Sequence, residues 1–310
     1  MMRCMRCQRE AVVFRIYSGE RLCSRHFKDS IREKVSRTIA QYKMLDPDDR
    51  IAVALSGGKD SVSLLRILFE LEKRFPRAQM TALTIDEGIK GYREEAIAIA
   101  AENCNKLGVE HRVLSFKELY GDTLDELVSK LSSLKGEISP CSFCGVLRRR
   151  ALNRAAREIG ADRLATAHNL DDEVQTGLLN LIHGDIVRNA RVEPVLKPEH
   201  PKFVTRVKPF CKIPESELAL YAHLDRITFQ TRPCTYRETS LRNEIRHMVN
   251  RLEFNHPGVK YAISSSFERL RPALKTVVSS VKIQDCSSCG EPTVGHICKP
   301  CEMLQKIGVL

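Results

Sequence analysis

From Arg50 onward the apolar positions change period at regular intervals. "RIAVALS" (50–56) is a run of β-formers, Asp60–Arg74 repeats its apolar residues at helical spacing, and "MTALTID" (80–86) is again a strand. Tyr92–Leu107 then reads as a helix and "EHRVLSF" (110–116) as a strand. Strands alternating with helices of this length predict an α/β fold, a Rossmann-like parallel sheet flanked by helices. Ahead of it, Ile31, Val35, Ile39 and Tyr42 give Ser30–Lys43 one apolar face, and "DPDD" (46–49) turns the chain.

Beyond the third strand the pattern predicts a short helical region at 122–131, a loop over "KGEISPCSFCG" (135–145) and a basic helix over "VLRRRALNRAAREIG" (146–160). A strand "RLATAHN" (163–169) follows, then a helix over 171–184 whose first turn holds Asp171, Asp172 and Glu173, where the helix dipole favours acids. Residues 186–213, rich in Pro and Arg, read as loop with a short strand around Val204–Val207. A helix opens at Pro214, and helices over 239–254 and 264–281 close the domain. Apolar content thins at both ends, dividing the chain into a module at 1–30, a main domain at 31–284 and a second module at 285–310.

With 310 residues and 43% hydrophobic content, the chain supports one sizeable core plus appendages. Lys+Arg 50 against Asp+Glu 39 gives a net charge of +11, a surface that attracts polyanions, nucleic acid first among them. No stretch approaches the roughly 18 apolar residues of a membrane span, and "MMRCMRCQRE" is no signal core, so a cytoplasmic protein without membrane partners is expected. In that setting the 12 cysteines, several in C-x-x-C pairs, point to metal rather than disulfides. Cys4, Cys7, Cys23 and His26 form one set of paired knuckles, and Cys286, Cys289, Cys298 and Cys301 another, with His296 a spare ligand. Each offers the four soft ligands of a closed, structural zinc site, so two Zn²⁺ are expected and neither does the chemistry.

The candidate chemistry begins at "SGGKDS", Ser56, Gly57, Gly58, Lys59, Asp60 and Ser61. Adjacent glycines admit backbone N–H groups to an anion, the following helix points its positive end there, and Lys59 and the serines add donors. Walker spacing is absent, so this is not a standard P-loop. The segment resembles the signature of the PP-loop ATP pyrophosphatases, of the HUP-like fold class. That resemblance implies cleavage of ATP between its α and β phosphates, leaving an adenylated substrate. In an open parallel sheet ligands gather at strand carboxyl ends, so Ala54, Ile85 and Ala167 are expected around adenine. Asp171 or Asp172 would then face the phosphates through Mg²⁺, although both acids also suit a plain helix cap.

"SPCSFCG" is a C-x-x-C without a second pair nearby, open to a redox dithiol, half a zinc site or part of an iron-sulfur cluster. Cys234, in a second Pro-Cys context, makes a third thiol, and three cysteines satisfy three irons of a [4Fe-4S] cube. Cys104 and Cys211 read as small core residues. Taken together, the paired terminal modules, SGGKDS, PCxxCG with its basic helix, "AHNLDDE" and the C-x-Y-x(4)-LR-x-x-x-R segment resemble the tRNA thiolation family of TtuA-type, NcsA-type and cytosolic thiouridylase enzymes. The resemblance implies a [4Fe-4S] cluster on Cys141, Cys144 and Cys234. It also implies 2-thiolation of a tRNA uridine, with wobble position 34 expected ahead of 54, and sulfur from a ubiquitin-like thiocarboxylate carrier or free sulfide. Arg148 stands where TtuA-type relatives carry an active-site lysine, and it keeps the charge without being an easily deprotonated base. Ala167 replaces a common glycine. The catalytic candidates are thus Cys141, Cys144, Cys234, Asp172 and Arg148. The basic helix is expected to bind ATP or guide the tRNA backbone, His168 to contact phosphate or cap its strand, and apolar terminal helices to support a homodimer.

Overall fold

The computed structural model describes residues 2–73, 75, 77–131, 138–236, 241–278 and 282–310. A small hairpin, β1 (Val13–Arg15) and β2 (Glu20–Leu22), leads into α1 (Ser24–Tyr42). The main domain runs β3 (Arg50–Ala54), α2 (Lys59–Glu72), β4 (Gln79–Asp86), α3 (Arg93–Leu107), β5 (Glu110–Ser115), α4 (Phe116–Tyr120), α5 (Leu124–Leu131) and α6 (Pro140–Glu158). It continues through β6 (Arg163–Ala165), α7 (Leu170–Ile182), α8 (Ile186–Ala190), β7 (Val195–Leu196), β8 (Thr205–Val207), α9 (Glu215–Leu224), α10 (Leu241–Asn255) and α11 (Val259–Val277). A second hairpin, β9 (Gln284–Asp285) and β10 (Pro292–Thr293), precedes α12 (Lys299–Lys306).

The sheet order is β5-β4-β3-β6-β8-β7, parallel except for the β7 edge. The chain builds outward from β3 through β4 to β5, then crosses back to lay β6 on the other side of β3. The carboxyl ends of β3 and β6 therefore diverge at a switch point, where open α/β sheets bind ligands. Alternation along the strands sorts the two faces. Ile51, Val53 and Ala82 pack into the layer of α1, α2 and α9, whereas Ala52, Leu83 and Leu164 meet Ala155 and Ala156 of α6. Those alanines let α6 lie close against the sheet.

The stretch expected as loop over 186–213 holds α8 and β7 besides the short strand, and α11 starts at Val259 rather than 264; two further shifts bear on the site. Helix α1 begins at Ser24, so the division at residue 30 falls inside one continuous helix. Helix α6 begins at Pro140, so "PCSFCG" is helix rather than loop: Ser139 caps it by accepting from the Ser142 N–H at 3.3 Å, and Pro140 takes the first helical position. The expected starts and ends of the helices at 239 and 281 lie outside the described residues.

The first module is fixed to the main domain by a buried network. Arg15 donates to Glu217 of α9 at 3.0 and 2.9 Å, with Lys34 adding a third contact at 3.1 Å. The Arg15 and Glu217 side chains are only 2% and 8% exposed, so removing one strands the other's charge. Glu217→Ala is accordingly expected to cost about 3–5 kcal/mol, read as an earlier denaturant midpoint.

Candidate nucleotide and cysteine site

Between β3 and α2 the loop is folded on itself. Ser56 donates its N–H to the Ser61 hydroxyl at 3.1 Å, and Ser61 donates to the Gly58 carbonyl at 3.0 Å. Gly57 has φ +83°, and a Cβ there would lie 2.4 Å from the Ala96 carbonyl oxygen, so no other residue fits. Gly58 is the helix N-cap and offers no side chain, which leaves the first N–H groups of α2 for a ligand. Lys59 lies 3.0 Å from Asp60 and 2.8 Å from Glu215; burial works against its charge, but the two carboxylates outweigh it and hold its pKa above the usual value.

At the end of β6, Asn169 caps α7 in a reciprocal capping box with Asp172. Its amide also donates to Asp60 at 3.2 Å, stitching together the loops that follow β3 and β6. The two neighbouring acids then part. Asp171 is turned inward, bonded to Lys260 of α11 and accepting the Glu215 N–H at 2.8 Å, so it anchors α9 and α11. Asp172 stays at the cleft, its carboxyl pushed up to about 6 by burial and by the charges of Asp60 and Glu215, with Arg242 acting the other way. One buried oxygen of Asp60 has no hydrogen-bond partner among the described residues. Asp60 and Asp172 together could hold a divalent cation. Ala54, Ile85 and Ala167 end or follow three adjacent strands, as a binding wall requires.

Cys141 and Cys144 occupy successive turns at the start of α6, the first exposed and the second buried. Across them runs a strap, residues 230–236. At one end Gln230 donates its N–H to the Gly57 carbonyl at 2.9 Å and its amide to Tyr92 at 2.6 Å. At the other, the Tyr236 carbonyl accepts from the Cys141 thiol at 2.9 Å. Cys234 lies between, packed with Cys144 against one apolar cluster. Burial pushes the Cys144 thiol up to about 12 and raises Cys141, with Arg148 opposing both; an activated free nucleophile needs the reverse shift. Residues 237–240 of the C-x-Y-x(4)-LR segment lie outside the described residues.

Sequence reasoning missed the pair that joins these parts. Arg93, 4% exposed, donates to the carbonyls of Ser56 at 3.2 Å and Ile85 at 2.6 Å. It pairs at 2.7 Å with Glu87, which also receives Arg148 at 3.3 Å. Glu87 follows directly on "LTID", but nothing local marks it as buried. The "RRR" run likewise divides, because successive helical residues point about 100° apart. Arg148 meets Glu87, Arg149 is exposed and forms no ion pair among the described residues, and Arg150 reaches the Cys298 and Cys301 sulfurs at 3.9 and 3.7 Å. His168 bonds Thr166 at 2.9 Å; it is exposed, but the protein packed around its ring and the charges of Lys208, Arg206 and Arg242 hold its pKa well below the usual value. Cys104 and Cys211 are core residues.

Both terminal modules gather their ligands. The sulfurs of Cys4, Cys7 and Cys23 with a His26 nitrogen, and the sulfurs of Cys286, Cys289, Cys298 and Cys301, each lie within 4.8 Å of one another. Each module is a hairpin followed by a cysteine at a helix N-cap, Cys23 or Cys298, with the last ligand one turn on. Cys4 and Cys286 are held down to about 6: burial opposes this, but donating backbone N–H groups prevail. Both sets suit a tetrahedral metal.

The PP-loop domain family matches residues 29–253, and the N-terminal LIM domain family of 2-thiouridine synthetase TtuA matches residues 3–28. The tRNA 2-thiolation protein NcsA of Haloferax volcanii is 36% identical over 321 residues, 99% of each chain. The tRNA-5-methyluridine(54) 2-sulfurtransferase of Pyrococcus horikoshii is 33% identical over 97% of this chain and 93% of its own. The U34-tRNA thiolase NcsA of Methanococcus maripaludis, solved with its [4Fe-4S] cluster, superposes with a TM-score of 0.87 at 36% identity, covering 100% of this chain and 98% of that one. On this full-length likeness the chain belongs to the PP-loop family of tRNA 2-thiolation proteins.

Proposed function

We propose that this chain is an ATP-dependent tRNA sulfurtransferase that 2-thiolates uridine at wobble position 34. The observation that carries the reading is the strap: one short segment bonds the phosphate-binding loop at Gly57 and the cysteine helix at Cys141, so activation and sulfur entry share one cleft. The full-length likeness to a U34-tRNA thiolase supports position 34.

In this reading adenine rests against Ala54, Ile85 and Ala167. The free N–H groups of α2 and Lys59 hold the β and γ phosphates, and Asp60 and Asp172 hold Mg²⁺. Asp171 shapes this pocket through α9 rather than touching the phosphates. A uridine drawn out of its stack presents its C2 oxygen to the α-phosphorus. The O–P bond forms, the α–β bond breaks and pyrophosphate leaves; sulfur then bonds to C2 and AMP departs with the former C2 oxygen. Cys141, Cys144 and Cys234 fit a [4Fe-4S] cluster by their all-sulfur donors, three in number, with Cys141 open to solvent. When bound, the cluster supplies an iron without a protein ligand, at which sulfide can be presented. Arg148, steered by Glu87, contributes fixed positive charge beside the departing AMP rather than a proton.

The terminal sets hold Zn²⁺ in structural roles, and the sulfur donor is a ubiquitin-like thiocarboxylate carrier or sulfide. Among the described residues no helix is long and apolar enough to cross a membrane; the cytoplasm as this chain's place of work rests on the likeness to a cytoplasmic tRNA 2-thiolation protein. Exposed Leu252, Phe254, Leu270 and Val277 on α10 and α11 support a homodimer.

Lys59→Ala is expected to slow pyrophosphate release on the order of 10²-fold, measured with tRNA in excess. Cys234→Ser is expected to lose iron and thiolation while still releasing pyrophosphate; a colourless but fully active protein contradicts the cluster. Nucleoside mass spectrometry of tRNA from a deletion strain is expected to show 2-thiouridine missing at position 34. Loss at 54 instead moves the assignment.

A further inference from the structure

We propose that Arg149 and Arg206, with Arg188 and Arg242 beside them, form a phosphate site that grips the RNA backbone next to the target nucleotide. The proposal rests on the tRNA reading above and identifies where that substrate is held.

Along α6, Arg148 meets Glu87, Arg150 meets two zinc-module sulfurs, Arg154 meets Glu158 at 2.7 Å, and Arg157 meets Glu291 at 2.6 Å. Arg149 forms no ion pair among the described residues. Nor does Arg206, whose buried Nε has no hydrogen-bond partner there. The fold nonetheless brings these two together. Asn153, one turn beyond Arg149, accepts the Val204 N–H at 3.0 Å and donates to the Lys202 carbonyl at 2.8 Å. That clamps the start of β8 against α6. Arg206 is in register with Leu164, which packs on α6, so it emerges on the same face of the sheet.

Neighbouring protein atoms and the charges of Arg206, Arg148, Arg188 and Arg242 pull the Arg149 guanidinium down to about 10, although the residue is exposed to solvent. Burial lowers Arg206 as well, and its one acidic neighbour, Glu173, is already bonded to Lys208 at 2.7 and 2.8 Å. Unpaired guanidinium groups in a cleft repel one another, and a bound anion removes that cost. The fork of an arginine matches phosphate oxygens in pairs. ATP already has its cradle at the PP-loop and Lys59. Of the cluster, Arg242 borders that cradle, 3.9 Å from Asp172, whereas Arg188 is exposed on α8 and pairs only with Asp185 at 3.2 Å among the described residues. A cluster spread from the cradle's edge to the surface suits a phosphodiester chain better than a compact triphosphate.

The test uses the full-length, cluster-loaded protein and its Arg149→Gln, Arg206→Gln and double variants. Each variant is expected to melt at or above the wild-type temperature, because a repulsion is relieved. The double variant is expected to bind tRNA transcript about tenfold more weakly, with the slope of log affinity against log salt shallower by about 1–2. Its ATP affinity, read by isothermal titration, stays at the wild-type value. A fall in ATP affinity with tRNA binding intact assigns the cluster to nucleotide phosphates and overturns the proposal. So does a marked loss of stability, which makes the arginines structural. If the wild type binds tRNA through these arginines yet forms no thionucleoside, the phosphate site stands and the thiolation reading falls. Unchanged tRNA affinity overturns the site whatever the activity.

Discussion

The ion pair of Arg93 with Glu87 holds the two halves of this site in register. Arg93 fixes the carbonyl that opens the phosphate-binding loop and the carbonyl at the end of the neighbouring strand, and Glu87 carries that order on to Arg148, one turn beyond Cys144. Both members are about 4% exposed. A buried pair of this kind does little for net stability, but its loss leaves an uncompensated charge and frees every group it positions. The strap supplies the second tie, through hydrogen bonds to Gly57 and Cys141. A loop suited to activating an oxygen and thiols suited to handling sulfur thereby become one cleft.

What the sequence made legible is what is local. The run from Ile51 to Leu68 discloses strand, glycine turn and helix because each depends on residues a few positions apart. The terminal metal sets do so because knuckle spacing fixes ligand geometry. The start of α6 was also written locally, as Ser139 and Pro140, but the glycine and cysteines around it favoured a loop. Partners distant in sequence were invisible. Asp171 and Asp172 look alike as a helix start, yet Lys260, 89 residues away, claims one and leaves the other at the cleft. The same limit hid the separate fates of Arg148, Arg149 and Arg150.

The two terminal modules share a design, hairpin then helix-capping cysteine, and differ in how they are attached. The first docks by the buried Arg15 and Glu217 contact. The second leans on α6, where Arg150 lies against two of its sulfurs and Arg157 pairs with Glu291. Four thiolates around a divalent metal would carry surplus negative charge, and Arg150 lies where it would offset it. Helix α6 thus carries cysteines at its start, cations along its middle and the second module's anchor at its end, so a disturbance of that module reaches the cysteine site through one rigid element.

If ATP activates the uridine oxygen that sulfur then replaces, that oxygen must leave in AMP. The most direct measurement starts from tRNA carrying ¹⁸O at C2 of the target uridine, incubated with the cluster-loaded enzyme, ATP and sulfide. The account predicts one ¹⁸O in the phosphate of each AMP formed, in step with each 2-thiouridine. Thiolation with unlabelled AMP, or label appearing in pyrophosphate or orthophosphate, would contradict it.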